Sequence, residues 1–130
     1  MEIKFEIIED LNLENLGPES IHAMLSLKEQ VEFKCVVFVN DLYMKFAEWL
    51  ALNDRTSFLF EDSLEFETVF EIKQISEQKY QFLGFDGTMF LIDEINVFCT
   101  KFMDSIVKAF EVKGEKGIKY YHELQKLRVY

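Results

Sequence analysis

The chain's chemically versatile side chains are two histidines, two cysteines and a dense group of carboxylates, and their spacing limits what each can do. His22 and His122 have no neighbouring His or Cys at ligand spacing, so neither segment supplies a metal site, and an ordinary surface or structural role is expected for both. Cys35 and Cys99 are 64 residues apart, each inside an apolar run, and read as reduced, buried thiols rather than as a disulfide or a zinc pair. The densest acids are Glu61, Asp62, Glu65, Glu67 and Glu71. A carboxyl works as a general acid when burial or a like charge shifts its pKa in a cleft, and spacing alone does not establish that, so no catalytic residue is assigned. On a strand, Glu65, Glu67 and Glu71 would project from one face, with Leu64, Phe66 and Phe70 filling the core behind them. Such a face is either a solvated surface that blocks edge-to-edge aggregation or an acidic platform for a basic protein. These five acids are therefore the candidate protein-binding residues.

Other chemistries lack their signatures. The five glycines form no Gly-x-Gly-x-x-Gly run, phosphate-cradling loop or Gly-x-Ser-x-Gly elbow, so no cofactor and no serine-hydrolase site is expected. A net charge of −10 disfavours nucleic acid, whose affinity comes largely from Lys and Arg on phosphates. Residues 1–107 carry net −13 and residues 108–130 net +3, so the body would repel anionic membranes and attract a basic partner. Lys113, Lys116, Lys119, Lys126 and Arg128, with Tyr120 and Tyr121, read as a solvated helix face set against that acidic body. Of the 20 aromatic residues 14 are Phe. Phe82, Phe85, Phe90, Phe98, Phe102 and Phe110 either pack a core or line an apolar ligand cavity between sheet and helix, and core packing is the more economical reading.

The elements that must position these residues follow from periodicity. Ile3, Phe5 and Ile7 alternate with Glu2, Lys4 and Glu6 as a strand with one buried face. A loop through Asn12, Asn15, Gly17 and Pro18 leads to a second strand, Ile21 to Leu27, and a hairpin into Val31 to Val39. The continuous apolar run there predicts a central strand covered on both faces. Asn40 and Asp41 are helix cap candidates, followed by Leu42, Phe46, Trp49 and Leu50 at helical spacing, with an end near Asn53. Phe58 and Phe60 mark a short strand, and period two returns from Leu64 to Lys73. Asp86-Gly87 joins Tyr80–Phe85 to Met89–Ile92 in a hairpin, which makes Asp86 a turn residue rather than an acid catalyst. Asp93 is placed to cap a helix whose stripe is Ile95, Phe98, Cys99, Phe102, Ile106, Ala109 and Phe110. Gly114 to Gly117 breaks it, and a short basic helix with Tyr120, Tyr121, Leu124 and Leu127 closes the chain.

The expected architecture is one α+β domain over residues 1–130, a mostly antiparallel sheet of about six to seven strands with two to three helices packed on one face. The longest apolar run is Cys35 to Val39 and no leader is visible before the charged strand, so a cytoplasmic protein, monomeric or dimeric, is expected. The apolar strand into a helix over Val31 to Leu52 with Asn40-Asp41 and Trp49, the strand pair at Phe85-Asp86-Gly87 and the helix Asp93 to Val112 resemble the small acidic α+β immunity proteins of bacterial polymorphic toxin systems. The resemblance implies a non-enzymatic protein that neutralises a toxin, often a basic nuclease, by binding it through an acidic surface.

Overall fold

The computed structural model describes residues 1–11, 17–52, 56–61 and 67–126. The chain is α+β, and its described residues form seven strands in two antiparallel sheets and three α-helices. Strands β1 (Glu2–Ile7), β2 (His22–Lys28) and β3 (Glu32–Phe38) form one meander, and β4 (Phe58–Glu61), β5 (Thr68–Gln74), β6 (Tyr80–Gly84) and β7 (Met89–Ile92) form the other, each in sequence order. Helix α1 (Val39–Leu50) connects the two sheets, and α2 (Ile95–Glu111) and α3 (Gly114–Lys126) follow. Because α1 carries the chain away after β3, the expected strands divide between two sheets rather than extending one.

The inner faces of both sheets meet on one aromatic core. Phe33 on β3 packs edge-on against Phe82 at 5.0 Å and Phe70 at 6.3 Å in the other sheet. Phe102 of α2 stacks on Phe46 of α1 at 4.2 Å and meets Phe5 of β1 edge-on at 5.3 Å. All seven residues of the α2 stripe are buried, as their 3.6-residue spacing requires. No charged residue is buried among the described residues, so this core is held by ring packing and apolar burial. No helix among them is long and apolar enough to cross a membrane.

Several local expectations are corrected. Strand β3 is an edge strand with Val36 52% exposed, because the run Cys35 to Val39 is shared between a strand with one bare face and the first helical residue. Helix α1 begins at Val39, whose N–H still bonds Ile21 O at 2.9 Å, so Phe38 occupies the cap position without a side-chain bond. Asn40 falls inside the first turn instead of capping it, and its side-chain oxygen is buried without a partner among the described residues. Asp41 pairs one turn on with Lys45 at 3.5 Å. The helix ends at Leu50, and Asn53 lies outside the described residues. Asp93 does not hold the cap position of α2 either. Glu94 holds the α2 cap position, and the Ile95 N–H reaches Gln78 O at 3.4 Å, a backbone carbonyl replacing the expected side chain. The α2–α3 break comes at Val112 and Lys113, with Gly114 at φ +78 and α3 running straight through Gly117. Leu124 is buried and Tyr120 and Tyr121 half-buried on α3, while Leu127 lies outside the described residues.

Candidate functional site: the outer face of the four-stranded sheet

The site is built by the alternation of β5. Phe70 and Ile72 point into the core, which turns Val69, Glu71 and Lys73 outward. The register then sets Glu71 directly between Leu59 on β4 and Leu83 on β6, and Leu83 opposite Met89 on β7. The next row on the same face is Lys73, Gln81 and Leu91. Leu59, Met89 and Leu91 are 48%, 55% and 59% exposed. Phe85, at the end of β6, is also exposed, its ring leaning on Phe33 at 5.7 Å. One half-buried carboxylate thus interrupts an apolar row across four strands, in which Leu83 is also half-buried and Leu59 and Met89 are exposed. Side chains directly opposite one another on paired strands lie within reach of contact.

The other predicted acids divide. Glu61 follows a register shift after Phe60 and pairs with Thr68, and its carbonyl accepts from Lys45 Nζ at 3.3 Å. Glu67 is exposed and immediately precedes β5. Asp62 and Glu65, with Leu64 and Phe66, lie outside the described residues. Structure therefore puts Glu71 on the strand face and Glu61 and Glu67 at one end of the β4–β5 pair. The apolar members of this face escaped the sequence reading because Tyr80–Gly84 and Met89–Ile92 carry apolar residues on both faces. The signal available was Leu83, Met89 and Leu91 sharing a parity opposite to Phe82 and Phe90.

The hairpin that holds this face is fixed by Asp86. Gly84 N–H bonds Thr88 O at 2.8 Å, Gly87 N–H bonds Gly84 O at 3.1 Å, and Gly87 takes φ +89. Asp86 Oδ1 accepts from the Thr88 N–H at 2.9 Å, and the Thr88 hydroxyl followed by that N–H hold its carboxyl below the usual range. Asp86 is thus the turn residue its sequence position indicates. Neither cysteine is in a disulfide, and burial, with the Asp86 carboxylate adding to it, pushes Cys35 up to about 12.

A second polar grouping, missed by sequence reasoning, surrounds His22. The Glu9 carboxylate accepts from the His22 backbone N–H at 2.7 Å and contacts ring Nδ1, while the ring lies 4.1 Å from Phe38. The group borders a recess of about 260 Å³ that includes Asp41, Phe60 and Val69. Glu9 holds one imidazole orientation, but no hydroxyl or thiol side chain bonds the ring among the described residues, so the pair clamps the chain after β1 to the start of β2. His122 is exposed on α3, 3.3 Å from Gln125 Oε1. No group of three or more His, Cys, Asp or Glu suited to a metal occurs among the described residues. Of the rings proposed for a ligand cavity, Phe82 stacks on Phe90 at 4.6 Å and Phe98 approaches Phe102 at 5.8 Å, so these rings fill space against one another. Lys113, just before α3, and Lys116 on it border a recess with Glu9, Asp10 and Glu115, and Arg128 lies outside the described residues. Comparison with known proteins finds no protein family, no curated protein and no solved structure that matches this chain.

Proposed function

We propose that this chain is a non-enzymatic protein-binding domain that docks a basic partner on the outer face of its four-stranded sheet. The observation that carries the reading is the row Leu59, Glu71, Leu83, Met89, in which a carboxylate sits among apolar side chains, Leu59 and Met89 exposed and Leu83 half-buried. A contiguous apolar patch with polar groups at its rim is the form that protein interaction sites take on a soluble surface. Apolar anchors at its centre would supply the binding energy, and the net charge of −10 would steer a cationic partner to it. In its sharper form the partner is a toxin domain, blocked by this contact in the manner of an immunity protein.

The test is capture from lysate of the producing cells at low and moderate salt, with wild type, Glu71→Lys, Leu83→Arg and, on an exposed site of α2, Glu111→Lys. The expected result is one basic protein retained by wild type and by Glu111→Lys and lost by the two face variants. Capture of nothing, or of the same protein by all four baits, overturns the reading.

A further inference from the structure

Two sheets present four open edges, and three of them are covered or guarded. Ile8 N–H bonds His22 O at 3.1 Å, which sets the phase of the β1–β2 ladder and aims the backbone of Ile3, Phe5 and Ile7 away from β2. Helix α2 lies along that edge, and Ser105 Oγ donates to Ile3 O at 3.0 Å. The β3 edge carries exposed Glu32 and Lys34. The β4 edge is broken by the register shift between Phe60 and Glu61, beside which Lys45 donates to the Glu61 carbonyl. Charges, bulges and covering helices are the devices by which sheets prevent unwanted pairing.

Strand β7 carries no charged side chain and no bulge, and Leu91 borders an open recess with Val97 and Lys101 of α2. The Gly84–Thr88 bond sets its phase, so Phe90 and Ile92 bond toward β6 while the N–H and C=O of Met89 and Leu91 point outward. None of these outward groups has a partner among the described residues, and both side chains are more than half exposed. Acids stand at each end of the edge, Asp86 before it and Asp93 and Glu94 after it.

We infer that β7 receives an extended segment of the protein partner as a fifth strand of this sheet, two apolar side chains lying beside Met89 and Leu91 and a basic residue at each end. The inference rests on the docking face proposed above and names how the partner reaches it, since Met89 ends the Glu71 row. Backbone bonds along an exposed edge give affinity in this mode and side chains on alternate positions give specificity. The acids select the occupant. Antiparallel pairing with a second copy would set the Asp86 end of one chain against the Asp93-Glu94 end of the other, whereas a segment with cationic ends meets opposite charge at both.

The probe is a fluorescent peptide alternating valine and threonine between two terminal lysines, titrated into the full chain. Fluorescence anisotropy should show saturable binding, with the Met89 and Leu91 amide resonances shifting most. A peptide N-methylated on alternate backbone nitrogens, and one with glutamates in place of the lysines, should each bind at least about tenfold more weakly. Leu91→Pro removes one outward N–H and leaves the β6 ladder intact, a position at which an edge strand tolerates proline. It should abolish peptide binding, whereas Leu91→Thr, which keeps the N–H, should retain it. Equal binding of the N-methylated peptide, or no binding of the parent peptide, overturns strand addition. Partner capture that still depends on Glu71 in that event leaves the docking face standing; loss of that dependence removes the face itself.

Discussion

At the scale of single residues, two positions show how close approach and burial, more than residue type, decide what a side chain does. A Cβ on Gly117 would lie 1.9 Å from Phe110 O, so the start of α3 presses directly on the end of α2. Alanine gains about 1 kcal/mol of helix propensity over glycine there, yet overpacking a site with no room costs about 1–3 kcal/mol and the obstruction here is backbone. Gly117→Ala should therefore destabilise by about 2 kcal/mol in urea unfolding, and a more stable variant would contradict the packing described. Cys35 offers a pH test. Its thiol is raised from 9.0 to about 12 on folding, so its contribution to stability is complete below about 9 and lost as pH rises toward about 12. Stability should fall between pH 9 and pH 11 more steeply in wild type than in Cys35→Ala, with unfolding curves at both pH values as the check. The sequence placed both thiols in apolar runs and so read both as buried; Cys99 is buried, whereas Cys35, on the edge strand, is only half-buried. The Glu9–His22 contact was not legible, because a loop whose path the sequence does not reveal separates the two residues.

Among the elements, α2 and the β6–β7 hairpin carry the argument. Phe102 lies at the meeting point of β1, α1 and α2, fully buried between Phe5, Phe46 and Phe98. Phe102→Ala should cost about 3–5 kcal/mol, the usual penalty for deleting a buried ring, and a loss below about 1 kcal/mol in denaturant unfolding would contradict that placement. In the hairpin, the Asp86 carboxyl is held low by Thr88, so the stability it contributes is present above its ordinary 3.8 and lost as pH falls through the folded value. Removing the hydroxyl with Thr88→Val should move the Asp86 titration upward, which a carboxyl-resolved NMR pH titration reads directly. Helix stripes and the Asp-Gly turn were legible because period and turn chemistry are local. The caps of α1 and α2 were not, since carbonyls distant in sequence, Ile21 O and Gln78 O, accept bonds from their first residues. The edge position of β3 was hidden for a related reason: a run apolar on both faces reads as central whether or not a second layer covers it.

At the scale of the whole molecule, charge and apolar surface are distributed together. The described core excludes charge, and the acids collect outside, where Glu71 alone breaks a row that would otherwise be continuous leucine and methionine across the sheet. Glu71→Leu should leave the fold intact and promote concentration-dependent self-association, visible by sedimentation velocity, because it removes the charge that keeps this face from pairing with itself. A monodisperse monomer at every concentration would show that the face is not adhesive. The fold class was readable from seven periodic segments, but the division into two sheets was not, since strand periodicity carries no information about which strands share a ladder. For the same reason the candidate acids were legible as a group, while their apolar neighbours became visible only through register. The most direct test of the docking face is amide hydrogen exchange of the chain alone and in complex with its captured partner. Protection should rise at Val69 to Lys73 and at Leu83 to Leu91 and stay unchanged on α3. Protection confined to α3, or to β1 and α2, would place the interface elsewhere and contradict the account.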